Sequence, residues 1–273
     1  MWSITTNPFR LRPWPNFLRN VANLRALARR CGAHIATRAS DVRAARARGE
    51  HAIIMSVQGA NALSSPEQVA QIPNDIVLRM TLVHLTPSWI GAPSSPGHWL
   101  RRRKGLTPEG RALVHAMNAR RVLVDLAHLH RGGFRDAVEA HDRSLPFVVT
   151  HGGVDAVHPH WRNVNDEEIR AVANSGGVVG VITAGLYLGP PGRGRSGAER
   201  WVDHLEHLIR VGGEDVAAVG TDFDGFIIPA RGIRGAHAYP LLVDAMLRRG
   251  LSDRVVRKVL GENALRVLEE LRG

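Results

Sequence analysis

Cysteine occurs once, at Cys31, in a chain of 273 residues, so no disulfide can form within the chain and no cysteine-based zinc module exists. A reducing compartment, the cytoplasm, is the simplest fit. Lysine is almost as scarce, since Lys104 and Lys258 are the only two among 36 basic residues. A net charge of +11 would suit a polyanionic partner. Aromatics, however, make up only 5% of the chain, and the arginines lie along helical stretches such as residues 43–48 and 248–257. That pattern reads as a solvated basic surface, and no nucleic-acid partner is expected. No run approaches the ~18 apolar residues that cross a bilayer. Residues 1–20 are broken by Arg10, Arg12, Pro13, Pro15 and Arg19, so they lack the apolar core of a signal peptide. The expectation is a soluble, cytoplasmic protein with no membrane partner.

What is present is an apolar fraction of 44%, enough for one large core. A single domain over residues 1–273 is expected, without internal repeats. Helical spacing marks residues 20–30 and, with Ser40 as N-cap, residues 41–48. The apolar run 52–57 reads as a buried strand ending at Gln58-Gly59, and 76–85 as another. Residues 87–104, rich in proline and glycine, read as a loop over the strand ends. Thr107-Pro108 opens a helix to about residue 119. Strands follow at 121–128, 146–151, 178–183 and 216–219, with helices at 134–141, 166–174 and 201–211, a glycine-rich loop at 188–198, and two helices within 251–271. This alternation predicts an α/β fold with a parallel sheet and right-handed crossovers.

The strand ends carry the chemistry. Gln58, His84, Asp125 with His128, His151, and Asp222 with Asp224 stand at the ends of most of the six predicted strands, and in (β/α) barrels that end is the functional face. Adjacent parallel strands lie ~4.8 Å apart, so His128 and His151 can reach one metal ion. The alternative is that one or both are satisfied core histidines. The carboxylates of Thr221-Asp222-Phe223-Asp224-Gly225 suit a metal ligand, a proton acceptor, an anchor for an ammonium, or a plain turn stopped by glycine. Arg162, beside Asn163, could clamp a carboxylate through two parallel hydrogen bonds, against the default of a solvated side chain.

In order, Gly105-Leu106-Thr107-Pro108-Glu109-Gly110, Leu123-Val124-Asp125-Leu126-Ala127-His128, Val149-Thr150-His151, Arg162-Asn163, Gly220-Thr221-Asp222-Phe223-Asp224-Gly225 and Leu260-Gly261-Glu262-Asn263-Ala264-Leu265-Arg266-Val267 resemble the membrane (renal) dipeptidases. These are zinc enzymes on a TIM-type (β/α)8 barrel of the metal-dependent hydrolase kind. The resemblance implies that His128 and His151 are ligands of one zinc and that His84 contacts the scissile carbonyl. It also implies that Arg162 holds the substrate carboxylate, and that Asp222 meets its α-amino group or shuttles the proton of the attacking water.

Two departures from the family stand out. Its first strand ends in a His-x-Asp pair, and none precedes Gln58. Gln58 itself stands at the position of the glutamate that bridges two metals. The expected site therefore holds one zinc ion, or two only if further ligands exist. The barrel is expected to lack its first strand, with residues 1–6 as a remnant of the second and at most seven strands. Open sheet edges would then be covered by a homodimer or an N-terminal plug, unless upstream residues are absent from this chain. The function implied is cleavage of a dipeptide by metal-activated water. The alternative is an inactive relative that binds a dipeptide or an amino-acid-like ligand.

Overall fold

The computed structural model describes residues 2–5, 13–73, 77–95 and 105–273. They form two compact units, one of residues up to Pro146 together with Leu268–Gly273, the other Phe147–Val267.

The first unit contains β1 (Trp2–Thr5), α1 (Pro13–Arg30), β2 (His34–Ile35), α2 (Ala39–Ala47), β3 (Ala52–Ile53), β4 (Met55–Gln58), β5 (Val77–Thr81), α3 (Pro108–Ala119), β6 (Leu123–Asp125) and α4 (Arg131–Ala140). Strands β1, β4, β5 and β6 pair in that order, all parallel. Their register brings Thr5, Gln58, Thr81 and Asp125 into one row at the carboxyl ends. Every residue of β4, β5 and β6 is buried, as for parallel strands covered on both faces.

The short strand expected at the start of the chain is present as β1. The run expected as one strand over 52–57 divides in two. Its first half, β3, pairs with β2 in a separate small sheet, and only β4 joins the main one. The partner β2 is two residues long, too short to show a period. Helix α1 begins at Pro13, seven residues before the apolar spacing starts, because Pro13 and Pro15 fall in the first turn, whose N–H groups lack intrahelical partners. In α2 the cap is not Ser40. The Asp41 carboxylate accepts from the backbone N–H groups of Thr37 and Arg38 at 2.8 and 3.2 Å. The Thr37 backbone bond leads in holding its pKa below the ordinary value, against a smaller opposing effect of burial. Thr107 caps α3 as expected, accepting from Gly110 N at 2.8 Å.

The second unit contains β7 (Phe147–Gly152), α5 (Asp166–Asn174), β8 (Val179–Val181), α6 (Gly185–Leu188), α7 (Gly197–Gly212), β9 (Ala217–Val219), α8 (Tyr239–Arg248), α9 (Asp253–Arg257) and the start of α10 (Asn263–Arg272). Strands β7, β8 and β9 pair parallel. They approach closely: a Cβ on Gly180 or on Gly220 would fall 2.1 Å from the Thr150 carbonyl oxygen, so neither position admits a side chain. Trp201, fully buried on α7, donates its indole N–H to Val181 O at 3.0 Å. Helix α8 was not anticipated. It opens on Tyr239-Pro240 without a capping side chain, and the glycine-rich residues before it hide its start.

His204 on α7 is fully buried. Its Nδ1 accepts from Val154 N at 2.9 Å, so the ring proton sits on Nε2, which donates to Leu188 O at 3.0 Å. Burial pushes its pKa down to about 4. Between about pH 6.5 and 4 the unfolded chain binds a proton that the folded one refuses, so the stability present above this window is lost as pH falls through it. His141 and His160 are lowered in the same direction, first by burial. We expect the urea midpoint to drop between pH 7 and 4.5, with His204 contributing about 3 kcal/mol at most. The variant His204→Gln should start lower at pH 7 and show a flatter pH dependence.

Candidate active site

Two layers of polar side chains close the strands of the first unit. In the lower layer Arg79, on β5, pairs with Asp125, on β6; both are buried, at 3% and 0% exposure. Arg79 also donates to Thr81 Oγ1 at 2.5 Å and to Ser56 Oγ, on β4, at 2.7 Å. Thr81 Oγ1 donates to Asp125 Oδ2 at 2.7 Å. One guanidinium thus ties three adjacent strands, as its planar fork allows and an ammonium would not.

Asp125 belongs to this structural layer and not to the upper row of donors. Its other oxygen accepts from Ala127 N at 3.0 Å and fixes the turn that follows β6. At the end of that turn His128 takes a left-handed backbone, with φ 68°, an uncommon conformation that histidine tolerates better than most residues.

The upper layer is where three predicted residues meet. Strands β5 and β6 end at Thr81 and Asp125, so His84 and His128 stand three residues beyond them, in the turns, instead of on the strands as expected. The Gln58 amide nitrogen lies 3.0 Å from His84 Nε2 and 3.3 Å from His128 Nε2. The two rings meet edge to face, with centroids 4.7 Å apart. Gln58 and His128 are buried, and His84 is half-buried. Part of the loop expected over the strand ends, residues 96–104, lies outside the described residues.

In the second unit His151 is buried in β7, with its Nδ1 2.9 Å from the Thr150 hydroxyl. A hydrogen bond on one ring nitrogen is the usual way to orient a histidine for work at the other. Arg162 is not the solvated side chain that its setting in an arginine-rich chain suggested. It is 5% exposed and donates to His151 O at 3.0 Å.

Neighbouring Asn163 accepts from Gly153 N at 3.0 Å and donates to His158 O and Tyr187 O, each at 2.8 Å. It thereby pins the loop that presents Arg162. Asp222 is half-buried and Asp224 exposed. Both are left-handed, with φ 55° and 63°, and Gly225 N donates to Asp222 O at 3.0 Å, so the glycine-stopped turn forms. Sequence reasoning missed a ring cluster in which His160 packs against Trp161 and Tyr187 at 4.7 and 4.9 Å. The signal was present as His158-Pro159-His160-Trp161, three rings in four residues of a chain poor in aromatics.

His128 and His151 offer imidazole, a donor type that zinc accepts. Among the described residues no three His, Cys, Asp or Glu side chains group closely enough to hold an ion. At Gln58 the fit fails, because a neutral amide cannot supply the charge of a bridging carboxylate.

The family model for membrane dipeptidases (peptidase family M19) matches residues 10–272. The chain belongs to the membrane dipeptidase family. As a member it has the α/β, TIM-barrel-like fold class of its relatives. Dipeptidase tcpJ of Claviceps purpurea is 32% identical over 242 residues, which is 87% of this chain and 55% of that protein. The crystal structure of dipeptidase AC, a metallopeptidase, is similar with a TM-score of 0.87 at 29% identity, covering 98% of this chain and 84% of that one. A metallopeptidase from Rhodobacter sphaeroides, liganded with a phosphinate mimic of L-Ala-D-Ala, gives 0.82 at 30% identity, covering 98% and 77%. This chain spans 61% and 55% of the length of two curated relatives that it matches.

The Arg79–Asp125 pair gives a stability prediction for this dipeptidase relative. Arg79→Met would leave a carboxylate buried without its guanidinium and should cost about 3–5 kcal/mol, read as a lower urea midpoint. Adding Asp125→Asn to that variant should recover part of the loss.

Proposed function

We propose that the chain hydrolyses the peptide bond of dipeptides with a reduced, one-zinc site. In this reading His128 and His151 hold the ion. Zinc, when bound, supplies a Lewis acid that polarises the scissile carbonyl and lowers the pKa of water. Arg162 receives the substrate carboxylate through charge-assisted hydrogen bonds. Asp222 receives the α-ammonium or takes the proton released by water, and His84 stabilises the negative charge that grows on the carbonyl oxygen.

The observation that carries the reading is the burial of Arg162 and its hydrogen bond to the backbone of His151. The group suited to a carboxylate is thereby fixed to the residue suited to the metal. Support for the substrate class comes from the Rhodobacter sphaeroides relative and its dipeptide mimic. A second reading, a relative that binds a dipeptide without turning it over, is favoured by the neutral amide of Gln58 between two imidazoles.

Elemental analysis of protein purified without chelators separates the two. About one zinc per chain, lost together with dipeptide hydrolysis in His128→Ala, is the expected result. Tight dipeptide binding by metal-free protein, without turnover, would establish the second reading instead. In the active protein Arg162→Leu should lower kcat/KM for dipeptides by about 10- to 100-fold, the equivalent of a charge-assisted hydrogen bond, and should do so mainly through KM.

A further inference from the structure

His160 stands in the loop between β7 and α5, two residues before Arg162, and takes no part in the proposed reaction. Its backbone N–H donates to Asp155 Oδ1 at 3.0 Å, and its carbonyl accepts from Asn163 N at 2.9 Å. The ring turns back on the chain: Nδ1 accepts from the backbone N–H of Arg162 at 3.1 Å. A ring nitrogen that accepts carries a lone pair, so the neutral ring keeps its proton on Nε2. The ring is half-buried against Trp161 and Tyr187, with centroids 4.7 and 4.9 Å away. The arrangement is that of an Asx turn, in which a side-chain acceptor closes on the N–H two residues ahead, built here with an acceptor that titrates. Arg162 is thereby held at both ends, its backbone by His160 and its guanidinium by His151 O.

We propose that His160 is a positioning residue, a pH-dependent latch on Arg162: as neutral imidazole it fixes the backbone from which the guanidinium extends, and as imidazolium it releases that backbone. Protonation would set an N–H on Nδ1 against the Arg162 N–H, two donors with no acceptor between them. The charged or titratable groups that face the ring are His158, stacked at 6.4 Å, together with Arg162, Asp155 and Tyr187. Burial first, then His158 and Arg162, push the His160 pKa below its ordinary value of 6.5, and Asp155 opposes them. The latch is therefore closed at neutral pH and opens only as pH falls through that lowered value. Its effect on the reaction rests on the reading of Arg162 as receptor of the substrate carboxylate, whereas the hydrogen bond itself does not.

The experiment compares wild type, His160→Phe, His160→Asn and Arg162→Leu between about pH 5 and 8. It reads dipeptide affinity, as KM or, for protein that does not turn over, as Kd, and the proton–nitrogen NMR signal of the Arg162 amide. Phenylalanine keeps a ring against Trp161 and Tyr187 and loses the acceptor, while asparagine keeps an acceptor that does not titrate. His160→Phe should weaken dipeptide affinity at neutral pH by about three- to tenfold, the equivalent of one hydrogen bond, with kcat little changed, and His160→Asn should restore it. The Arg162 amide signal should titrate below pH 6.5 in wild type and lose that step in His160→Asn.

Arg162→Leu separates the latch from the reading beneath it. If that variant leaves dipeptide affinity unchanged, the carboxylate reading falls and the amide signal alone decides the latch. If it weakens affinity while His160→Phe does not, the latch is overturned. An Arg162 amide that does not respond to pH, or that titrates alike in wild type and His160→Asn, overturns it as well. Should His160→Phe fail to fold, that signal in wild type and His160→Asn decides.

Discussion

A guanidinium and a carboxylate removed from water must satisfy one another and nearly all of their remaining hydrogen-bonding capacity. Arg79 and Asp125 do this with Ser56 and Thr81 across β4, β5 and β6. The register of the three strands is bound up with that network. So is the upper layer, because Gln58 follows Ser56 by two residues and the Asp125 carboxylate shapes the turn that ends at His128. The imidazoles are thus mounted on an ionic layer rather than on apolar packing alone. An ionic layer tolerates less slippage, since a shift of one residue would turn each of its members to the opposite face.

The arginine bias has a structural counterpart. Burial alone would raise the Asp203 carboxyl, but Arg195, Arg249 and Arg200 gather on it and hold its pKa down to about 2. Elsewhere the fork reaches backbone: Arg200 donates to Leu188 O and Val157 O, and Arg266 to Gly176 O and Asp215 O. A lysine would offer a point charge at such places, not two diverging N–H groups. At these two places the guanidinium ties a helix to neighbouring loops.

Elements whose signals are local were legible in the sequence. Helix α5 shows its acidic first turn, α3 its Thr-Pro opening, and the main strands their apolar runs. What stayed hidden depends on partners distant in sequence. The division of residues 52–57 is decided by β2, and the early start of α1 by prolines that would break a helix anywhere but its first turn. In the site, residue types were readable while their tasks were not. Asp125 looks like a ligand until Arg79 is seen against it. Arg162 looks solvated until its hydrogen bond to the end of β7 is seen. Gln58 could be named as a departure from the sequence, but the two imidazoles turned toward its nitrogen could not.

Glutamine and glutamate codons differ at a single base. The side chains are nearly isosteric, so exchanging one for the other at position 58 asks little of the surrounding packing. The chain therefore stands one nucleotide away from placing a negative charge, in place of a neutral amide, beside the His84 and His128 imidazoles.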